Sequence, residues 1–223
     1  MIEELTDSKV TWSHETSRKM IWIFFILSFC FGLLLQLGGL FLLRRDSGGT
    51  YLWWGGITII DTISGIVYYL LTPTALITLS VYLVLIRREI GNIAIVTCLS
   101  ALISGITWTI HFILHRMAYD LLDVAYAIMY WSTAMIFLGI TFFLIGIIYL
   151  RKGPITLTRL TGISFLVVGF IGVVVGYIGG FTLLPWFTIY DFPWVTTVAI
   201  VPSVLALVLA TKKNMLYTED RSL

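Results

Sequence analysis

The chain has 223 residues, 59% of them hydrophobic and only 12% charged, with a formal net charge of +2. A soluble domain carries about 25% charged residues, so water is not the main solvent here, and so small a positive charge gives no ground for nucleic-acid binding. Apolar runs of about 20 residues or more, each able to cross a ~30 Å hydrocarbon core as a helix, fill nearly all of the chain and leave no soluble domain to assign.

In chain order, residues 1–19 form a polar segment ending in Arg18-Lys19, and Met20 to Leu43 is the first predicted span. This run is too long for a signal-peptide core and lacks a small-residue cleavage site. Ser28, Gly32, Gln36 and Gly39 recur every three or four residues and so share one helix face. Where lipid removes the hydrophobic drive between helices, a face of small residues is where a neighbour packs. Arg44-Arg45-Asp46 and Ser47-Gly48-Gly49 form the next turn.

From Tyr51 to Ile86 there is no Lys, Arg or Glu. One helix of about Ile57 to Ile86, kinked at Pro73, competes with two short spans turning at Tyr68 to Thr74. With six spans and the N-terminus inside, Lys9, Arg18, Lys19, Arg87, Arg88, Arg151, Lys152, Arg159, Lys212, Lys213 and Arg221 fall inside. Only Arg44, Arg45 and Arg116 then lie outside. Seven spans with the N-terminus outside give ten basic residues inside against four outside, so the positive-inside rule tilts toward six.

The third span, about Gly91 to His115, carries a seam of Thr97, Ser100, Ser104, Thr107 and His111. The fourth, about Leu121 to Leu150, places Ser132, Gly139 and Gly146 at intervals of seven, and Arg151-Lys152-Gly153-Pro154 stops it. In the fifth, about Leu160 to Leu184, Gly162, Gly169 and Gly176 also repeat at seven, with Gly172 four before Gly176. That stripe predicts close backbone contact, within the chain or with a second copy. An aromatic, proline-broken connection leads to the sixth span, which ends near Ala210. The expected architecture is an all-α, polytopic transmembrane helix bundle over residues 20–211, with a cytoplasmic segment at 1–19 and a cytoplasmic tail at 212–223. No internal repeat supports an inverted-repeat transporter.

Chemistry, if present, gathers on the outer side. Asp61 costs about 2.5 to 3.5 kcal/mol inside an apolar span unless it finds a partner, and it is expected to face the bundle. Gln36, Asp61 and His111 fall at similar depth under the six-span topology and form the expected polar or transport site. His111 and His115 share a helix face and could hold a metal with Asp120 and Asp123, although no glutamate makes the spacing HExxH. Haem lacks a matched pair of histidines, and neither Walker, Rossmann nor EF-hand patterns occur, so no nucleotide is implied. Cys30 and Cys98 sit inside apolar runs and form no CxxC.

The first functional reading is a non-catalytic integral membrane subunit of a larger complex in the cell membrane, packing through small-residue faces, with the lipid bilayer and other membrane subunits as partners and no resident cofactor. A proton or small-molecule transporter using Asp61 and His111 is the alternative. A metal-binding membrane enzyme at His111 and His115 is the third.

Overall fold

The computed structural model describes residues 16–34, 55–117, 121–151, 156–181 and 193–219. Within these, the backbone alone is described at 55–62, 64–65, 115–117, 121–124, 156, 179–181, 193–197 and 212–219. The elements are α1 (Thr16–Leu34), α2 (Gly55–Leu85), α3 (Arg87–Ile90), α4 (Ile93–Met117), α5 (Leu121–Arg151), α6 (Thr156–Phe181) and α7 (Pro193–Glu219). Among the described residues there is no strand. Five helices contain stretches long and apolar enough to cross a membrane: Thr16–Leu34, Ile66–Leu85, Ile93–Leu114, Ala125–Arg151 and Leu157–Ile178. They mark the chain as a multi-pass membrane protein. The sixth expected span corresponds to α7, whose apolar stretch Val198–Thr211 is shorter, and the helix itself runs past Ala210 to Glu219.

The long segment before Arg87 is a single helix of 31 residues, with Pro73 inside it. The turn at Tyr68 to Thr74 that two short spans require is therefore not there. Pro73 has no N–H for the carbonyl of Tyr69, and the hydroxyls on either side bond the two carbonyls that flank that gap. Thr72 Oγ donates to Tyr68 O at 2.8 Å and Thr74 Oγ to Leu70 O at 2.7 Å. A proline flanked in this way is tolerated in a membrane helix.

Hydroxyls on the exposed faces follow the same logic. Thr78 bonds Thr74 O, Thr133 bonds Met129 O and Ser164 bonds Leu160 O, each one turn back on its own helix. Hydrocarbon offers no hydrogen-bond partner, so a lipid-facing hydroxyl must be satisfied by its own backbone. Around these residues the exterior carries large apolar side chains, among them Leu70, Ile77, Leu99, Ile106, Ile163 and Phe170.

Consecutive long helices run antiparallel. The α2-to-α4 link is short, made of α3 and Gly91, whose φ of 82° and ψ of −159° suit only glycine. Gly91 N–H closes on Arg87 O at 2.8 Å, and Ala94 N–H bonds back to Gly91 O at 3.1 Å, which starts α4.

The core is organised on α1. Ile21, Trp22, Phe25, Ser28 and Phe29 are buried and recur at helical spacing on one face. That face meets three helices: Ser28 Oγ and Thr72 Oγ1 of α2 lie 2.5 Å apart, the Phe25 ring sits 5.6 Å from Phe142 of α5, and Trp22 sits 5.3 Å from Phe165 of α6. At Gly32 an added Cβ would come within 2.8 Å of the Tyr68 ring, so the glycine makes room for that tyrosine. Arg18 Nη2 donates to Ala210 O of α7 at 3.4 Å, so the start of α1 and the apolar end of α7 lie at the same end of the bundle.

Candidate functional site

The seam on α4 is buried throughout and faces α5. Ser100 Oγ donates to Phe137 O at 2.8 Å and Ser104 Oγ to Ala134 O at 2.9 Å. His111, 8% exposed, places Nδ1 2.8 Å from Ala127 O. A carbonyl can only accept, so Nδ1 carries the proton. Thr97 and Thr107 turn back on their own helix, bonding Ile93 O and Ile103 O. Three residues of the seam thus act as rungs between two antiparallel helices.

Around His111 stands an aromatic cluster. Tyr69 lies 5.9 Å from the imidazole and stacks on Phe112 at 4.7 Å, while Tyr68 meets Trp108 edge-on at 5.4 Å. Asp61 is eight residues before Tyr69 on α2, which places it about 12 Å farther along the helix axis than the residue that faces His111. The Asp61, His115 and Asp123 side chains lie outside the described residues, as do Gln36 and Asp120 altogether. Of the expected polar site and the expected metal set, His111 is the one side chain placed. No group of three potential metal ligands occurs among the described residues.

The glycine stripe of α6 faces α5 of the same chain. A Cβ added at Gly169 would stand 2.5 Å from Phe143 N, at Gly172 3.0 Å from Gly139 Cα, and at Gly176 2.8 Å from Ser132 O. At Gly162 it would meet Leu150 at 2.8 Å and Gly146 O at 3.0 Å.

A second place is visible only in three dimensions. Between α1, α2 and α5, at the end of the bundle that carries Arg18, Arg87, Arg88 and Arg151, lies a cleft of about 560 Å³ with its open mouth included. Its walls are Ile21, Leu79, Leu83, Ile86, Ile90, Ile145 and Ile148, and its polar rim is Arg18, Trp22, Tyr82 and Tyr149. Trp22 is 4% exposed and its side chain meets Tyr149 on the rim, while the buried Nε of Arg18 has no hydrogen-bond partner among the described residues. In the sequence Arg18 reads as a flank marking the start of a span. The available signal was Trp22, one turn further along the same helix face.

Comparison with protein-family models, curated proteins and solved structures finds no match.

Proposed function

We propose that the chain is a non-catalytic integral membrane subunit that crosses the cell membrane six times, with both termini on the cytoplasmic side. The observation carrying the non-catalytic part is the use made of polar side chains. Ser28, Thr72, Ser100, Ser104, His111 and Thr141 all bond carbonyls or hydroxyls within the bundle. Side chains committed to helix packing are poor candidates for a reaction cycle. Proton or solute transport ranks below this reading because the Nδ1 proton of His111 is already engaged with Ala127 O.

Six spans follow if the part of α7 from Pro193 up to Lys212-Lys213 crosses as the others do, close to the ~20 apolar residues a span needs. Arg18, Lys19, Arg87, Arg88, Arg151 and Arg159 then share one end, which the positive-inside rule makes cytoplasmic. The apolar exterior would face lipid and sister subunits. Purification in a mild detergent tests the assignment, with co-purifying membrane partners expected; a monodisperse lone chain would sink the subunit role. Cysteine accessibility at positions 47 and 119 tests the topology, because six spans require both to label from outside.

A further inference from the structure

We infer that the cleft between α1, α2 and α5 is a binding site for one anionic phospholipid of the leaflet at the basic end of the bundle. An acyl chain would lie between the aliphatic walls, and the phosphate would meet Arg18. The argument starts from an imbalance. A guanidinium has five N–H donors, and among the described residues Arg18 makes one long bond, 3.4 Å to Ala210 O, while its buried Nε finds no partner there. Beside it the indole of Trp22 is buried and meets Tyr149 on the same rim, which leaves Arg18 as the group in need of an acceptor. In an apolar setting an unsatisfied donor of a charged group is costly unless an acceptor arrives.

The walls say what carries that acceptor. Seven aliphatic side chains line the cleft, and Leu79, Ile21 and Ile145 stand deeper in the bundle than Tyr82, Arg18 and Tyr149 on the same three helices. The occupant must therefore be apolar along its length and anionic at one end. Charge complementarity selects the headgroup: Arg18 sits in the cleft, and Arg87, Arg88 and Arg151 are exposed at the same end. Basic side chains at the membrane surface attract anionic lipids. A free anion would satisfy Arg18 but leave the aliphatic trough empty, and an uncharged lipid would fill the trough but not pair Arg18.

The test uses the full chain in a mild detergent. Native mass spectrometry counts bound dioleoyl phosphatidylglycerol against dioleoyl phosphatidylcholine. One phosphatidylglycerol is expected to bind in preference, Arg18→Gln should cut that preference about fivefold, and Arg159→Gln, at an exposed arginine of the same end, should leave it unchanged. Equal binding of the two lipids would overturn the inference, as would equal losses from the two substitutions, since diffuse surface charge would then be responsible. A second measurement uses the unaltered chain, so that a variant's folding is not at issue. Phosphatidylglycerol with a photoreactive group in its acyl chain should label the segments Leu79 to Ile86 and Ile145 to Tyr149. Labelling confined to the outward residues of α2 and α4, such as Ile77 and Leu99, would overturn it.

Discussion

Helix α5 associates with its two neighbours by different means. Toward α6 it presents Ser132, Gly139 and Gly146, seven residues apart, and these oppose Gly176, Gly169 and Gly162, also seven apart in the antiparallel direction. Backbone meets backbone: an added Cβ at Gly139 would stand 2.6 Å from Gly169 O, and at Gly146 2.8 Å from Gly162 O. Toward α4 the same helix presents carbonyls, at Phe137, Ala134 and Ala127, and α4 reaches them with two hydroxyls and an imidazole. In lipid the hydrophobic effect joins neither pair, so the first relies on close contact and weak Cα–H···O attraction and the second on hydrogen bonds. The two should fail differently. Contact fails steeply when any atom is added, and bonding fails by degrees when a donor is removed.

Breaking the glycine face should produce the largest effect. In Gly169→Ala the new methyl meets backbone atoms of Phe143 and Gly139, which cannot rotate away, so the helices must separate. A loss of about 3 kcal/mol is expected, at the upper end for overpacking. Reversible unfolding by sodium dodecyl sulfate in mixed micelles, followed by circular dichroism, measures it. Gly105 on α4 supplies the contrast, because a Cβ there would lie 3.5 Å from Leu76 Cβ, an ordinary contact. Gly105→Ala should be neutral or stabilising by up to about 1 kcal/mol through helix propensity. If the two alanines had equal effects, the steric account of the α5/α6 contact would be wrong.

The bonded face should yield less. His111→Ala removes the donor to Ala127 O and is expected to cost about 1.5 kcal/mol, near the maximum measured for polar contacts between membrane helices. Nitrogen-15 spectra of the imidazole supply a direct check on the bond. Neutral His111 should hold its proton on Nδ1, and a population dominated by the Nε2–H form would contradict the contact with Ala127 O.

Much of this pattern can be read before any fold is known, because small residues spaced by seven and a seam spaced by three and four are properties of one helix at a time. The seven-residue intervals at 132, 139 and 146 and at 162, 169 and 176 identify two faces, though not that each covers the other. Span ends are read less well where polarity and helix geometry part company. Lys212-Lys213 ends an apolar run, yet α7 continues to Glu219, since a helix needs no hydrocarbon to persist. The long run before Arg87 is ambiguous because Pro73 signals a break, whereas the helix runs through it from Gly55 to Leu85. The site is where linear reading is poorest. Asp61 stands out through the cost of a carboxylate in lipid, and His111 through its rarity, but the partner of His111 is a backbone carbonyl, which no side-chain inventory reveals. Arg18 and Trp22 fall at the start of a span, where such residues are expected for topology alone. Their placement over an aliphatic cleft depends on α2 and α5, which lie far away in the chain.

The smallest effect should come from the rung nearest the basic end, and the reason lies in a fallback. Thr141 Oγ approaches Ser100 Oγ at 3.0 Å and its own helix carbonyl, Phe137 O, at 2.7 Å, while Ser100 Oγ donates to that same Phe137 O. One hydroxyl hydrogen cannot serve two acceptors fully, so Thr141 loses little when Ser100 is removed, and Phe137 O keeps a donor. Ser104 has no such substitute, for its bond to Ala134 O stands alone. Ser104→Ala should therefore cost more than Ser100→Ala, and a double-mutant cycle of Ser100→Ala with Thr141→Val should give a coupling of about 0.6 kcal/mol or less. The same detergent unfolding measurement reads all four proteins of the cycle. A coupling above about 1.5 kcal/mol would show that the two hydroxyls act as one unit rather than as a shared, replaceable donor, and it would bring this rung level with His111.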